Sequence, residues 1–374
     1  MSILFGGVET SIICNVISLI ALCLGWLKVI IDEKLYDADF INDWCEGFEA
    51  LRDRVDEYPL DRVEKITGVD RNIIAEAART YATANGAVIP WTPITDQQIS
   101  STSAIRLHSI LRAITGNLDV VGGETLGGFN PGYIPESELA LHESLSDEQK
   151  SKQLGFADYP VFTYRVAEIL KEPTKKVWGF PYADLVMGCH MANPTSVFRA
   201  MVTGNPYPVK ALFVLGNNTL LSYANQHQIF KALNNQELIV AHEIFMTPTA
   251  MLADYVLPGD VFTERNHIAD SWSWTNRLTL SQKAVEPPAQ ASSTFKFWTD
   301  LGHRMGFAEH FPWDSLEDLL DYRLSRSNRT FAQFEQTSYM EAPTPKFEKY
   351  REIGFATPSG KVELYSSILA DLNF

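Results

Sequence analysis

The chain has 374 residues and a formal net charge of −15, with a pI near 5.0. Phosphate backbones and anionic lipids are held by clustered Lys and Arg, so this balance argues against a nucleic-acid or anionic-membrane partner. The four cysteines, Cys14, Cys23, Cys45 and Cys189, are far apart and form no C-x-x-C pair, which excludes a zinc knuckle, an iron–sulfur site or a disulfide framework built by this chain and favours a reducing, cytoplasmic compartment.

Thr10 to Leu27 carries no charge and reaches the lower length limit of a membrane span. Asn15 and Gly25 lie inside it, and no Lys or Arg stands in front of it and no small-residue cleavage site follows, so a buried or non-native segment is expected rather than an anchor. Residues 1–20 are left unassigned. Asp39 to Val55 continues with helical spacing until Tyr58-Pro59. Asp70 is placed to cap a helix over Arg71 to Ala84, and Ala87 to Pro90 after Gly86 reads as a buried strand. Residues 21–100 then look like the tail of an α/β domain. Trp91 to Ser103 is a polar loop, and Ala104 to Thr115 is a helix carrying Arg106, His108 and Arg112, with His108 read as structural. Gly122-Gly123 and Gly127-Gly128 mark a flexible loop.

The most informative stretch is Lys210 to Gly259. Ala211 to Leu215 is an apolar run ending in Gly216-Asn217-Asn218, followed by an amphipathic segment from Asn225 to Leu233. Leu238 to Ala241 is a second run, ending in His242-Glu243. Thr247 to Ala253 reads as a helix leading into a third run, Tyr255 to Leu257. Strands alternating with helices imply parallel sheets covered by helices on both faces, in Rossmann-like units with right-handed crossovers. Ligands in such sheets sit beyond the carboxyl ends of the strands, which puts Gly216 to Asn218 beside His242 to Thr247. The Gly–Asn turn alone fits plain turn chemistry better than a ligand loop, and no glycine fingerprint of a dinucleotide fold is present. Further on, Trp272 and Trp274 have the spacing of one strand face, and Phe295 to Gly306 and Leu316 to Leu324 read as helices.

The strings LFVLGNN, IFMTPTAMLADYVLP and FATPSGKVELYS, in that order, resemble the molybdopterin oxidoreductases of the dimethyl sulfoxide reductase type. The similarity runs from about Leu22 to Phe374, and segments such as EYPLDRVEKITG and MANPTSVFRAM are similar to the acetylene hydratase-like members. The resemblance implies a bis(molybdopterin guanine dinucleotide) cofactor with molybdenum or tungsten and a small-molecule substrate. It puts Asp96 and Gln97 in a loop against a pterin, and Gly122 and Gly123 in a cofactor-side segment. One guanine dinucleotide arm would be held by Gly216, Asn217, Asn218, Glu243, Thr247 and Asp254, with Phe245 and Met246 packing. Glu243 and Asp254 would accept from the guanine edge, the alternative for Asp254 being a helix-end cap.

The family's [4Fe–4S] cysteines and its protein ligand to the metal have no counterpart in these residues. The expectation is therefore an internal part of a larger catalytic subunit, inactive alone and working with its missing ends or an iron–sulfur subunit. Residues 101–340 would form the α/β cofactor-binding domain, and 341–374 the start of a C-terminal dinucleotide-binding domain. A reductase or dehydrogenase of the same family, acting on a sulfur compound, an S-oxide or formate, is the alternative activity. A non-catalytic nucleotide-binding module is the alternative outside enzymes.

Overall fold

The computed structural model of the protein describes residues 2–5, 8–11, 18–90, 93–96, 100–126, 132–159, 163–178, 191–269, 278–288, 290–336, 339–340, 346–355 and 357–371. Gln97, Gly127, Gly128, Trp272 and Trp274, singled out above, lie outside these residues. The chain forms two compact units, one of residues 1–126, 173–179 and 345–374, the other of residues 127–172 and 180–344.

The first unit is mainly helical. After a short hairpin, β1 (Ser2–Phe5) and β2 (Val8–Ser11), comes helix α1 (Leu19–Asp32), then α2 (Ala38–Trp44), β3 (Cys45–Glu46), α3 (Phe48–Asp56), α4 (Leu60–Thr67), α5 (Arg71–Thr83), α6 (Pro93–Asp96) and α7 (Ser101–Ile114). Helix α1 is apolar nearly all round, and such a helix is stable in water only inside a core. It lies against α3, α4, α5 and α7, with Leu22, Trp26, Leu27 and Ile30 almost wholly inaccessible. The uncharged run near the N-terminus therefore continues into a core helix. No helix among the described residues is long and apolar enough to cross a membrane.

Two local expectations are corrected in this unit. The helical spacing from Asp39 to Val55 is broken into α2 and α3 by Gly47, whose φ of +85° belongs to the left-handed region; a Cβ there would also come within 2.9 Å of the Tyr365 backbone nitrogen. Ala87 to Pro90 is buried in part but is not a strand. Its backbone donors are taken by side chains instead, Ala87 N–H by Asn117 Oδ1 at 2.8 Å and Ile89 N–H by Glu124 Oε1 at 2.9 Å. Asp70 does cap α5, accepting from Asn72 N–H at 2.8 Å.

The second unit is built on the predicted parallel sheet, in the order β4 (Ala211–Leu215), β5 (Leu238–Glu243) and β6 (Tyr255–Pro258). Side chains alternate across a strand, and the two faces are covered separately. Val214, Ile239 and Ala241 pack with Phe198 and Met201 of the helix Pro194–Thr203 and Ile229 and Leu233 of the helix Gln226–Asn234. On the other face Phe213 meets Phe297 and Trp298 of the helix Thr294–Arg304, with ring centroids 5.8 and 5.7 Å apart. A separate antiparallel sheet, β7 (His267–Ala269), β8 (Leu278–Ser281) and β9 (Tyr339–Met340), packs with Tyr133, Leu320, Leu324 and Phe334 into a second core.

Candidate functional site at the carboxyl rim of the parallel sheet

Parallel pairing sends all three strands of the sheet in one direction, so their carboxyl ends share a rim. Gly216 N–H donates to His242 O at 3.0 Å, and Gly259 N–H to Glu243 O at 3.0 Å, which carries the pairing one step past the strands. The loops after β4 and β5 are thus side by side. Gly216 has φ +57°, and a Cβ built on it would meet nothing within 4 Å, so its flank is open for close approach. Asn217 Oδ1 accepts from the Thr219 hydroxyl at 2.8 Å, and Asn218 Oδ1 from the Thr249 hydroxyl at 2.9 Å. The amide NH₂ groups of both asparagines remain unengaged among the described residues and can donate to a ligand.

Across the crevice, one oxygen of Glu243 accepts from Ile244 N–H at 3.1 Å. Ile244, Phe245 and Met246 are 53%, 75% and 63% exposed, three consecutive apolar side chains at the surface. Thr247 Oγ1 accepts from Ala250 N–H at 3.1 Å and starts a 3₁₀ turn over Ala250–Leu252. The expected helix from Thr247 to Ala253 is only this turn, because the rim loop and Pro248 occupy most of the short crossover before β6 must begin.

That geometry also relocates Asp254. Its carboxylate accepts from Ile239 N–H at 2.7 Å while its own N–H donates to Ile239 O at 2.9 Å. Ile239 is near the start of β5, so Asp254 stands at the amino end of the sheet. It pins β6 to β5 and does not join Gly216, Asn217, Asn218, Glu243, Phe245, Met246 and Thr247 on the rim. The capping alternative fares no better, since its acceptor serves a strand and not a helix.

Asp96, Gly122 and Gly123 belong to the first unit, and Asp96 closes the short helix α6 with an exposed side chain. The two glycines serve a tight turn. Gly122 has φ +80°, and a Cβ on Gly123 would fall 2.4 Å from Asn117 O. The turn is anchored by buried polar groups, with Arg112 Nη1 2.8 Å from Glu124 Oε2, and Asp119 accepting from Leu126 N–H at 3.0 Å, Lys349 N–H at 2.7 Å and Lys349 Nζ at 2.5 Å. Burial pushes the Glu124 carboxyl up, partly offset by Arg112 and by Ile89 N–H.

Thr249 is the rim residue that the sequence reading missed. It is fully buried, donates to Asn218 Oδ1 and accepts from Leu220 N–H at 2.9 Å, tying the two loops together. A threonine beside a proline carries no sequence signal for such a role. Among the described residues no group of three His, Cys, Asp or Glu side chains could hold a metal ion.

Amide donors, a carboxylate acceptor, an open glycine and an apolar lip thus lie together at the carboxyl rim of a parallel sheet in an α/β fold. Comparison with known proteins is specific. The family model described as molybdopterin oxidoreductase matches residues 20–304, and the chain belongs to that family. It is 46% identical over 354 residues to acetylene hydratase of Syntrophotalea acetylenica, covering 95% of this chain and 48% of that protein. It is 23% identical over 383 residues to the thiosulfate reductase molybdopterin-containing subunit PhsA of Salmonella typhimurium, covering 94% and 48%. The solved structure of acetylene hydratase from Pelobacter acetylenicus superposes with a TM-score of 0.89 at 44% identity, over 96% of this chain and 49% of the other. The chain thus spans about half the length of these relatives.

Proposed function

We propose that this chain supplies a dinucleotide-binding part of a molybdenum or tungsten hydratase that adds water to a small unsaturated substrate of the acetylene type. The observation that carries the reading is the pairing of the Gly216–Asn218 and Glu243–Thr247 loops on one rim, in a chain 46% identical to acetylene hydratase over nearly its whole length. The hydratase reading is preferred to sulfur-compound reduction or formate oxidation because identity is 23% to the thiosulfate reductase subunit and 28% and 29% to two formate dehydrogenases.

The residues present fit a bis(molybdopterin guanine dinucleotide) cofactor. The open flank of Gly216 admits a diphosphate or ribose close to the backbone. Asn217 and Asn218 donate to its oxygens through their free NH₂ groups. Glu243 accepts from the N–H edge of guanine, and Phe245 and Met246 cover the base and keep water from those hydrogen bonds. When bound, the cofactor supplies the metal at which the substrate is activated. Every contribution of this chain is then binding and orientation. Asp96, Gln97, Gly122 and Gly123 are proposed to border the pterin part, with Asp119, Asn117 and Glu124 holding the glycine turn in shape. An iron–sulfur centre of the working enzyme would be ligated by residues other than the four cysteines here, which lack cluster spacing.

The test is cofactor retention by the holoenzyme that contains this chain, with Glu243→Gln as the variant. A hydrogen bond to a carboxylate is worth about 1.5–3 kcal/mol, roughly ten- to hundredfold in affinity. Released guanine nucleotide and bound metal per mole should both fall in the variant while thermal stability stays unchanged. Equal contents in both proteins would remove Glu243 from the guanine site, and a holoenzyme that consumes no acetylene would overturn the hydratase reading.

A further inference from the structure

The helical unit contains a cavity of about 480 Å³, distinct from the carboxyl rim. Its floor is apolar, made by Leu24, Leu51, Leu107 and Ile110, all buried. Its walls carry Arg54, Tyr58, Ser100, Ser103 and Arg106. The volume is that of a site for one small molecule.

Arg106 is the unusual member. One of its nitrogens, Nη2, donates to the carbonyl oxygens of Glu363 and Leu364 at 3.2 and 3.4 Å, and among the described residues it makes no ion pair. Glu363, the acid nearest to it in the chain segment it touches, is already committed. Its Oε1 takes the Ser359 hydroxyl at 3.1 Å and its Oε2 the Ser367 hydroxyl at 2.9 Å. Burial lowers the Arg106 pKa, with the Glu363 charge opposing. Arg54 differs, being paired with Glu57 at 2.6 Å. A third guanidinium, Arg62, stacks on the Tyr58 ring at 4.3 Å from its centroid. Two guanidinium groups, Arg54 and Arg106, line this cavity in a chain whose net charge is −15. Ser100 and Ser103 add hydroxyls at the amino end of α7, where the cap residue Ser100 makes no capping hydrogen bond and the first turn has no acid. A half-buried guanidinium held by carbonyl oxygens and not by an ion pair keeps N–H donors that can take an anion entering the cavity.

We propose that this cavity binds a small organic anion, a carboxylate on an apolar body, with the carboxylate on Arg106 and the Ser100 and Ser103 hydroxyls, and the body on the floor of Leu24, Leu51, Leu107 and Ile110. Bidentate geometry suits a guanidinium to a carboxylate. The apolar floor discriminates such a ligand from inorganic anions. This assignment does not depend on the function of the rim.

Isothermal titration calorimetry of the full chain tests it, with hexanoate and benzoate as probes, hexanol as the neutral control and inorganic phosphate as the anion without an apolar body. One-to-one binding of an acid with a dissociation constant below about 1 mM is expected, and at least tenfold weaker binding by Arg106→Gln. Ser103 is exposed at the cavity mouth, so Ser103→Trp should fold normally and block binding even if Arg106→Gln is unstable. Hexanol binding as tightly as hexanoate would show a merely apolar cavity and overturn the proposal. So would phosphate binding as tightly as the acids, acid binding that Ser103→Trp leaves unchanged, or no saturable binding of either acid in the millimolar range.

Discussion

The helical unit and the sheet unit place their polar side chains differently. In the helical unit Asn117, Asp119 and Glu124 sit inside or just under the packed surface, where Asn117 and Asp119 are 2% exposed or less. In the sheet unit the corresponding groups stand at the strand ends. Asp254 closes the amino end, while Asn217, Asn218 and Glu243 line the carboxyl end with part of their hydrogen-bonding capacity unused. A buried polar group must be satisfied by the protein itself and so becomes architecture. One at a strand end can be left for a ligand, which is why recognition concentrates on the rim and rigidity inside the helices.

The contrast can be broken first at Asp119. Asp119→Ala leaves two backbone donors and the Lys349 ammonium without their acceptor, and a loss of about 2–4 kcal/mol in denaturant unfolding is expected. A loss no larger than that of a surface mutation would mean that the helical unit does not rely on its buried polar set. Next comes Thr249→Val, nearly isosteric, which strips the link between the rim loops and strands Leu220 N–H. About 1–3 kcal/mol is expected, read as a lower melting temperature, together with weaker cofactor retention.

A pH series sharpens the comparison from the helical side. Both ring nitrogens of His108 lack a hydrogen-bond partner, and burial, with Arg112 adding to it, drives its pKa from 6.5 down to about 4. The folded pKa lies below the unfolded one, so the unfolded chain binds more protons between these values. Stability contributed by the neutral ring is complete above pH 6.5 and is lost as the pH falls to about 4. His108→Leu should flatten the melting-temperature profile across that window relative to wild type, and parallel profiles would refute the assignment. The smallest stability effect belongs to Phe245→Ser. Its ring is 75% exposed, so a change within about 0.5 kcal/mol is expected, set against a measurable drop in bound guanine nucleotide.

The parallel pairing of the sheet unit was legible because its strands are apolar runs, closed by Gly216 and by His242-Glu243, that alternate with helical segments. Periodicity does not report which end of a strand a neighbouring residue occupies. Asp254 follows the rim loop closely in sequence, yet the crossover carries it to the opposite end, and only the pairing with Ile239 reveals that. Ala87 to Pro90 misled for a related reason. Its apolar residues are buried as a strand's would be, but the groups that satisfy its backbone come from Asn117 and Glu124, some thirty residues on. The Asn218–Thr249 link is equally non-local, and neither residue announces it. The family resemblance named the rim residues, but their assembly at one edge followed from strand direction.

The bond between Asp119 and Lys349 spans 230 positions of the chain, and the Phe40 and Trp44 rings rest on Tyr350 and Phe355 across a still longer interval. The sheet unit is spelled out entirely between those two halves. During synthesis at about 5–20 residues per second, the first half of the helical unit therefore waits some tens of seconds for its complement. The sheet unit can close in that interval. Meanwhile the apolar surface around Phe40 and Trp44 stays uncovered on the nascent chain, which makes the helical unit the later of the two to close.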